Sequence, residues 1–144
     1  MIFFSNYTQV DIASQGLKRL GYNGAKLLIL LDDTRLKSAG AALEGAIVAE
    51  RPDPSREFIK KYQDEYGEFP GIATDTSYDV LNAYVYAMNK AKSVKTSDVL
   101  KVYKNLEYQG VNQKIVFDQD GGVSAKPVFK EVRDVNGIYK KVLY

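Results

Sequence analysis

Five consecutive aliphatic residues, Leu27 to Leu31, constrain the fold more than any other feature of the sequence. A strand that is apolar on both faces is typical of a parallel sheet covered by helices. A strand-like segment at 2–5 and a helical segment precede this run, and Gly21 and Asn23-Gly24 mark the turn between helix and run. The order strand, helix, strand predicts a right-handed βαβ unit and therefore an α/β fold.

Apolar residues at helical spacing predict which faces of two helices are buried. The first helix, with Thr8 and Asp11 at capping-box spacing, would turn four residues inward: Val10, Ala13, Leu17 and Leu20. A long helix from about 77 to 90 would bury a stripe of larger residues: Tyr78, Leu81, Val85 and Met88. Between them, Pro54 suits the first turn of a helix that Asp53 would cap.

The pattern changes from helical to alternating after Gly110. Val128, Lys130 and Val132 alternate with Phe129, Glu131 and Arg133, and Asn136-Gly137 is a hairpin turn signal. The chain is therefore predicted to end in antiparallel strands. The segment Asp118–Gly121 is predicted to be a tight turn rather than a calcium loop, because the required glutamate is replaced by Phe129.

The composition excludes several classes of function. The 144 residues include no cysteine and no histidine, so cysteine metal sites and Ser-His-Asp or Cys-His catalysis are impossible. Twenty basic and 18 acidic residues give a net charge of +2, which does not indicate nucleic acid as a partner. No metal or cofactor is predicted. A binding function is favoured over an enzyme that would have to use carboxylates alone.

Several short motifs occur in the order and spacing of one family. They are Phe3-Phe4-Ser5-Asn6-Tyr7, Leu20-Gly21-Tyr22-Asn23-Gly24, Ala42-Leu43-Glu44-Gly45, Phe58-Ile59-Lys60-Lys61-Tyr62, Ser77-Tyr78-Asp79 and Val116-Phe117-Asp118. Each is weak alone, but together they resemble the C-terminal part of type I periplasmic binding proteins, the receptors for leucine, isoleucine, valine and related solutes. The resemblance covers nearly the whole chain.

The resemblance implies a fold of two α/β lobes, each with a mainly parallel sheet flanked by helices, that close on a ligand in the cleft between them. Residues 1–50 would belong to the C-terminal lobe, 51–126 to the N-terminal lobe, and 127–144 would return to the C-terminal lobe. The chain would then hold less than half of a receptor. Each lobe would expose sheet edges and apolar surface, so we expect the fragment to self-associate.

The resemblance also implies which residues contact the ligand. Tyr7 corresponds to an aromatic residue that stacks over the ligand's backbone atoms, although a tyrosine packed at a strand end is the alternative. Asp32 or Asp33 corresponds to an acidic residue that binds the ligand's ammonium group. Either aspartate could instead cap the following short helix.

The loop containing Ala73 and Thr74 is the last candidate site. The family often has an aromatic residue at position 73 that lies along the ligand side chain. Alanine is a departure that leaves room and puts a small aliphatic ligand in doubt. A loop followed by a helix cap is an equal alternative for these two residues.

The resemblance implies the substrate-binding component of an ABC transporter for amino acids or similar small polar solutes, with a membrane permease as partner. The alternative is a sensor domain of the same fold that feeds a signalling protein. The full-length protein would be periplasmic or extracellular, with a lipid anchor left open. The sequence has no signal-peptide pattern, and we expect Met1 to be a start codon placed before a piece of a longer protein.

Overall fold

The computed structural model describes residues 1–5, 8–118, 120–123 and 126–144. The chain divides into two compact units, with Met1–Arg51 and Pro127–Tyr144 in unit 1 and Pro52–Lys126 in unit 2. These boundaries lie within one residue of the predicted lobe boundaries. The assignment of the units to the C-terminal and N-terminal lobes of the family stays a prediction.

The helices and strands follow one another in the order β1 (Ile2–Phe4), α1 (Val10–Arg19), β2 (Lys26–Ile29), α2 (Asp33–Ala39), a 3-10 turn (Gly40–Ala42), β3 (Ile47–Glu50), α3 (Arg56–Tyr66), α4 (Thr74–Ala91), α5 (Thr96–Tyr103), β4 (Glu107–Gln109), β5 (Lys114–Val116), β6 (Val128–Val135) and β7 (Ile138–Leu143).

Unit 1 contains a five-stranded mixed sheet in the order β1-β2-β3-β6-β7. The first three strands are parallel, and β6 and β7 join them in antiparallel orientation. This arrangement confirms the predicted α/β fold with antiparallel strands at the C-terminus. Asn136 and Gly137 both have positive φ angles, 57° and 80°. The predicted tight hairpin turn requires that conformation.

Among the residues that the structure describes, only one face of the unit 1 sheet carries the core. Leu28, Val48 and Val132 are fully buried there, in a cluster that includes Val10 from α1 and Leu36 from α2. The opposite face exposes Phe3, Ile29 and Phe129, with 52%, 41% and 47% of their surfaces accessible. The prediction that the run 27–31 is buried on both faces is therefore wrong within unit 1. Both helices that contribute to this core, α1 and α2, pack on the same face of the sheet.

The buried face of α1 is only partly aliphatic, with Val10 buried and Leu17 half-buried as predicted. Ala13 and Leu20 are exposed, whereas Asp11 and Ser14 are buried. The difference arises because α1 packs against α2, whose Arg35 pairs with Asp11 at 3.2 Å. The N-terminal cap is Gln9, whose side chain makes no capping hydrogen bond. The capping-box role of Thr8 with Asp11 stays a prediction.

Unit 2 consists of α3, α4, α5 and the two-stranded β4–β5 ribbon. Ser55, not Asp53, caps α3, because its hydroxyl accepts a hydrogen bond from the Phe58 N–H at 3.2 Å. Three of the four residues predicted to be buried on α4 are exposed, with Tyr78 42%, Leu81 64% and Val85 42% accessible. The fourth, Met88, is half-buried and packs against the core of unit 2 as predicted. The small residues Ala83 and Ala87 are buried instead, against Val99 and Leu106.

Within the described parts of the chain, no helix combines the length and the apolar character that crossing a membrane requires.

Candidate ligand-binding site

The carboxyl ends of β1, β2 and β3 meet at one edge of the unit 1 sheet, because these strands are parallel. Ligands of open α/β sheets bind at this edge. The segment after β2 carries Asp32 and Asp33, and β3 ends there with Glu50. Tyr7 follows β1 in sequence but lies outside the described residues, so its role stays a prediction.

Asp32 and Asp33 are adjacent but differ in what they contact. Asp32 is the N-terminal cap of α2, and its carboxylate accepts a hydrogen bond from the Arg35 N–H at 2.8 Å. Asp33 is the first residue of α2, is exposed, and takes no part in the cap. Asp32 therefore has the capping role that was the alternative to ligand binding. The exposed carboxylate of Asp33 is available to a ligand.

The helix that carries these aspartates is anchored by polar contacts to α1. The Arg35 guanidinium bonds both carboxylate oxygens of Asp11 at 3.2 Å, and the Gln15 amide donates to the Ser38 carbonyl at 2.7 Å. Hydrogen bonding to the Ser38 side chain, and then the Arg35 guanidinium, lower the pKa of Asp11 below its ordinary value. These contacts fix the position of α2 and of its N-terminus.

Both predicted site loops contain a non-glycine residue in the left-handed region. Leu30, just before Asp32, has a φ of 66°, and Ala73 has a φ of 67°. This conformation is unfavourable for residues with a Cβ, and such strain is concentrated at functional sites. The two loops therefore share a feature that the sequence pattern did not predict.

Ala73 and Thr74 lie at the start of α4 in unit 2. Ala73 is exposed and caps the helix without a side-chain bond, while the Thr74 N–H donates to the Gly71 carbonyl at 3.2 Å. The helix begins three residues before its predicted start at Ser77. Thr74 is half-buried and borders a pocket, whereas the small side chain of Ala73 leaves the loop surface open.

The pocket beside Thr74 has a volume of about 380 Å³ and lies between α3 and α4. Its lining residues are mostly aromatic: Phe58, Lys61, Tyr62, Glu65, Tyr66, Thr74 and Tyr78. The rings of Phe58 and Tyr78 are 5.2 Å apart, and those of Tyr62 and Tyr66 are 4.6 Å apart. Such a lining can hold an apolar or aromatic group with polar atoms at its rim.

Two buried carboxylates on α4 hold the loop between β4 and β5. Asp79 accepts a hydrogen bond from the Val111 N–H at 3.0 Å, and Asp75 accepts one from the Asn112 amide. A Cβ at Gly110 would overlap the Asp79 carboxylate, so glycine is required there. Burial, and then the negative charge of Asp79, raise the pKa of Tyr108 above its ordinary value. The role of Asp75 and Asp79 is therefore structural.

A second buried charged cluster lies in unit 1, where Glu50 pairs with Lys130 and Lys141. The sequence pattern did not predict this cluster, although Lys130 stands on the apolar side of the alternation in β6. In the described part of the chain, no group of histidine, cysteine, aspartate or glutamate residues could hold a metal ion.

A sequence profile of the periplasmic binding protein family matches residues 2–132. A comparison with curated protein sequences gave no match. Among solved structures, the chain is similar to a leucine-binding protein from Thermotoga maritima, with 21% identity and a TM-score of 0.80. That likeness covers 97% of this chain and 43% of the other.

Two further solved structures are similar. One is a solute-binding protein of an ABC transporter from Rhodopseudomonas palustris in complex with 3,4-dihydroxybenzoic acid, with 20% identity, a TM-score of 0.76, and 99% and 43% coverage of the two chains. The other is an ABC-transporter substrate-binding protein from Desulfitobacterium hafniense in complex with leucine, with 17% identity, a TM-score of 0.72, and 98% and 43% coverage. The chain thus spans less than half the length of these proteins. It has their fold, and the profile match over most of its length shows that it belongs to the periplasmic binding protein family.

Proposed function

We propose that the chain is part of the substrate-binding component of an ABC transporter and that it binds amino acids or similar small polar solutes. The observation that carries this proposal is the family match over residues 2–132. Family and fold are those of solute-binding receptors, so the function proposed is binding rather than catalysis. Membership of this family implies a periplasmic or extracellular location.

Asp33 is the proposed partner of the ligand's ammonium group. Its carboxylate is exposed at the carboxyl end of β2, whereas the neighbouring Asp32 carboxylate is engaged by the Arg35 N–H. A charge-assisted hydrogen bond suits this task, because it is about twice as strong as a neutral one. This proposal favours ligands with an α-amino group over acids that lack one.

Tyr7, Ala73 and Thr74 are the other proposed ligand contacts, and they rest on the family resemblance. An alanine with an exposed side chain at position 73 leaves space beside the ligand side chain. We therefore propose a ligand whose side chain is bulkier than that of a small aliphatic amino acid. The mostly aromatic pocket that Thr74 borders supports this proposal.

A membrane permease is the proposed partner, and a lipid anchor on the full-length protein is compatible with that role. A sensor domain that feeds a signalling protein is the second candidate, because the same fold serves both roles. The neighbouring genes distinguish the two candidates, since a permease pair indicates transport and a kinase indicates signalling. We also propose that the chain on its own associates with copies of itself.

Ligand binding is tested on the full-length receptor by a thermal-shift screen of the common amino acids and 3,4-dihydroxybenzoate. We expect stabilisation by one or more amino acids. In the same receptor, Tyr7→Ala should weaken binding by about 5- to 150-fold, which corresponds to about 1–3 kcal/mol. A receptor that responds to no amino acid but is stabilised by 3,4-dihydroxybenzoate would contradict the proposed ligand class.

A further inference from the structure

The carbonyl of Leu31 is held by a side chain that is distant in sequence. Leu31 is 1% exposed and follows β2, beyond the end of the strand's backbone ladder. A buried carbonyl needs a donor. The Lys141 ammonium group on β7 supplies it at 2.5 Å, across 110 positions of sequence.

The donor is itself held in place by a buried ion network. Lys141 also bonds Glu50 at 2.7 Å, and the second carboxylate oxygen of Glu50 lies 3.4 Å from Lys130. The three side chains are only 18%, 11% and 8% exposed. Lys130 is registered opposite Val48, and Lys141 opposite Val132. The lysines therefore lie on the core face of the sheet.

A buried ion network of this kind is not expected to add much to the stability of the fold. The free energy needed to remove charged groups from water is about as large as the attraction between them in the protein interior. Replacing a buried ion pair by apolar side chains of similar size therefore often leaves stability unchanged or raises it. Apolar side chains, however, cannot donate a hydrogen bond to the Leu31 carbonyl. The network therefore provides a fixed point for the backbone, at a loop where Leu30 has a left-handed φ of 66°.

We propose that Lys141 is a positioning residue, which Glu50 and Lys130 hold in place so that it fixes the backbone that carries Asp32 and Asp33. The consequence for ligand binding rests on the proposed function of Asp33. The positioning itself is independent of any ligand. It requires only that the Leu31 carbonyl and the α2 N-terminus keep their observed conformation.

The test compares three variants of this chain without ligand, by equilibrium unfolding and by amide NMR with hydrogen exchange. Lys141→Met removes the donor, and Lys141→Arg keeps a donor. The triple variant Glu50→Leu, Lys130→Met, Lys141→Met removes all three charges of the network together. We expect Lys141→Met to shift the Leu31–Arg35 amides and to speed exchange of the Arg35 N–H at least about tenfold. Amides of α5 in unit 2 should not change.

The triple variant separates positioning from stability. We expect it to unfold close to the parent's midpoint and still to show the shifted, faster-exchanging Leu31–Arg35 amides, while Lys141→Arg restores the parent's amide spectrum. A triple variant with the parent's shifts and protection in this loop would overturn the proposal. So would a triple variant that does not fold, because the network would then serve the whole fold. Either result leaves the proposed ligand class untouched, since no ligand is present.

Discussion

Asp32 and Asp33 differ in what they are expected to contribute to the receptor. Asp32→Ala removes the cap of α2 and should lower the free energy of unfolding by about 1 kcal/mol. Asp33→Asn should leave stability within about 0.5 kcal/mol of the parent, because the side chain is exposed. In the full-length receptor, Asp33→Asn should weaken amino-acid binding more than Asp32→Asn. Urea unfolding and calorimetric titration of the same variants measure both effects.

The assignment would be contradicted if the effects of substituting the two aspartates were reversed. If Asp33→Asn binds like the parent and Asp32→Asn loses affinity without losing stability, Asp32 is the ligand contact and the cap is incidental. If both variants bind like the parent, the loop after β2 does not contact the ligand.

Asp11 should make the chain sensitive to acid. Its pKa is lowered in the folded state by the Ser38 hydrogen bond and by Arg35. A lowered pKa stabilises the fold above the carboxyl's ordinary pKa of 3.8, and that contribution is lost as pH falls through the folded value. Asp11→Asn should therefore lower the melting temperature at pH 7, and the difference from the parent should shrink below about pH 4.

The control for acid sensitivity is Asp33→Asn, which removes the same charge from an exposed site in the same unit. Melting temperatures of the parent, Asp11→Asn and Asp33→Asn, measured from pH 2 to pH 7, show whether the effect is specific to Asp11. A deficit of Asp11→Asn that stays constant down to pH 2 would mean that lost packing, not the ion pair, destabilises the variant.

At the scale of helices, α4 has two apolar faces, and the described residues cover only one of them. Large residues such as Leu81 and Val85 form one face, and Ala83 and Ala87 form the other. The alanine face is buried because small side chains let α5 approach closely and bring Val99 and Leu106 into contact. Periodicity of large residues thus predicts an apolar face, but it does not predict whether the chain supplies a partner for it.

Substitutions on the two faces of α4 should differ in their cost. Ala87→Leu adds atoms to a residue that is fully buried and should destabilise the chain by about 1–3 kcal/mol. Leu81→Ala removes atoms from an exposed side chain and should change stability by no more than about 0.5 kcal/mol. Urea unfolding of the two variants tests the assignment. A larger loss for Leu81→Ala would restore the sequence-based prediction of the buried stripe.

Local patterns predicted the elements better than their contacts. The βαβ unit, the long helix and the Asn136-Gly137 hairpin follow from periodicity and turn residues, and the structure confirms them. Periodicity could not predict that Lys141 reaches the Leu31 carbonyl, because that contact depends on the register of strands far apart in sequence. Lys130 could have been noticed, since a lysine on the apolar side of an alternating strand requires a buried partner.

At the scale of the whole molecule, the residues that the structure describes leave one apolar face of each unit exposed. In unit 1 it contains Phe3, Ile29 and Phe129. In unit 2 it is the face of α4 that carries Leu81 and Val85, and residues 80–89 include no charged side chain. Surfaces rich in tyrosine and aliphatic residues and poor in charge have the composition of interface cores. An uncharged face can meet a copy of itself without burying an unpaired charge, as a two-fold symmetric contact requires.

We therefore expect the chain to self-associate through these faces. Sedimentation velocity should show a mass that rises with concentration up to about 100 µM, as a micromolar dissociation constant requires. Leu81→Glu with Val85→Glu places two charges on the α4 face and should reduce the association, because the charges would have to be buried unpaired. The control, Lys104→Gln with Asn105→Glu, changes the net charge equally at exposed positions and should associate like the parent. A parent chain that stays monomeric over this range would refute self-association. If the Leu81→Glu, Val85→Glu variant associates as fully as the parent, the contact is made by the sheet face of unit 1 instead.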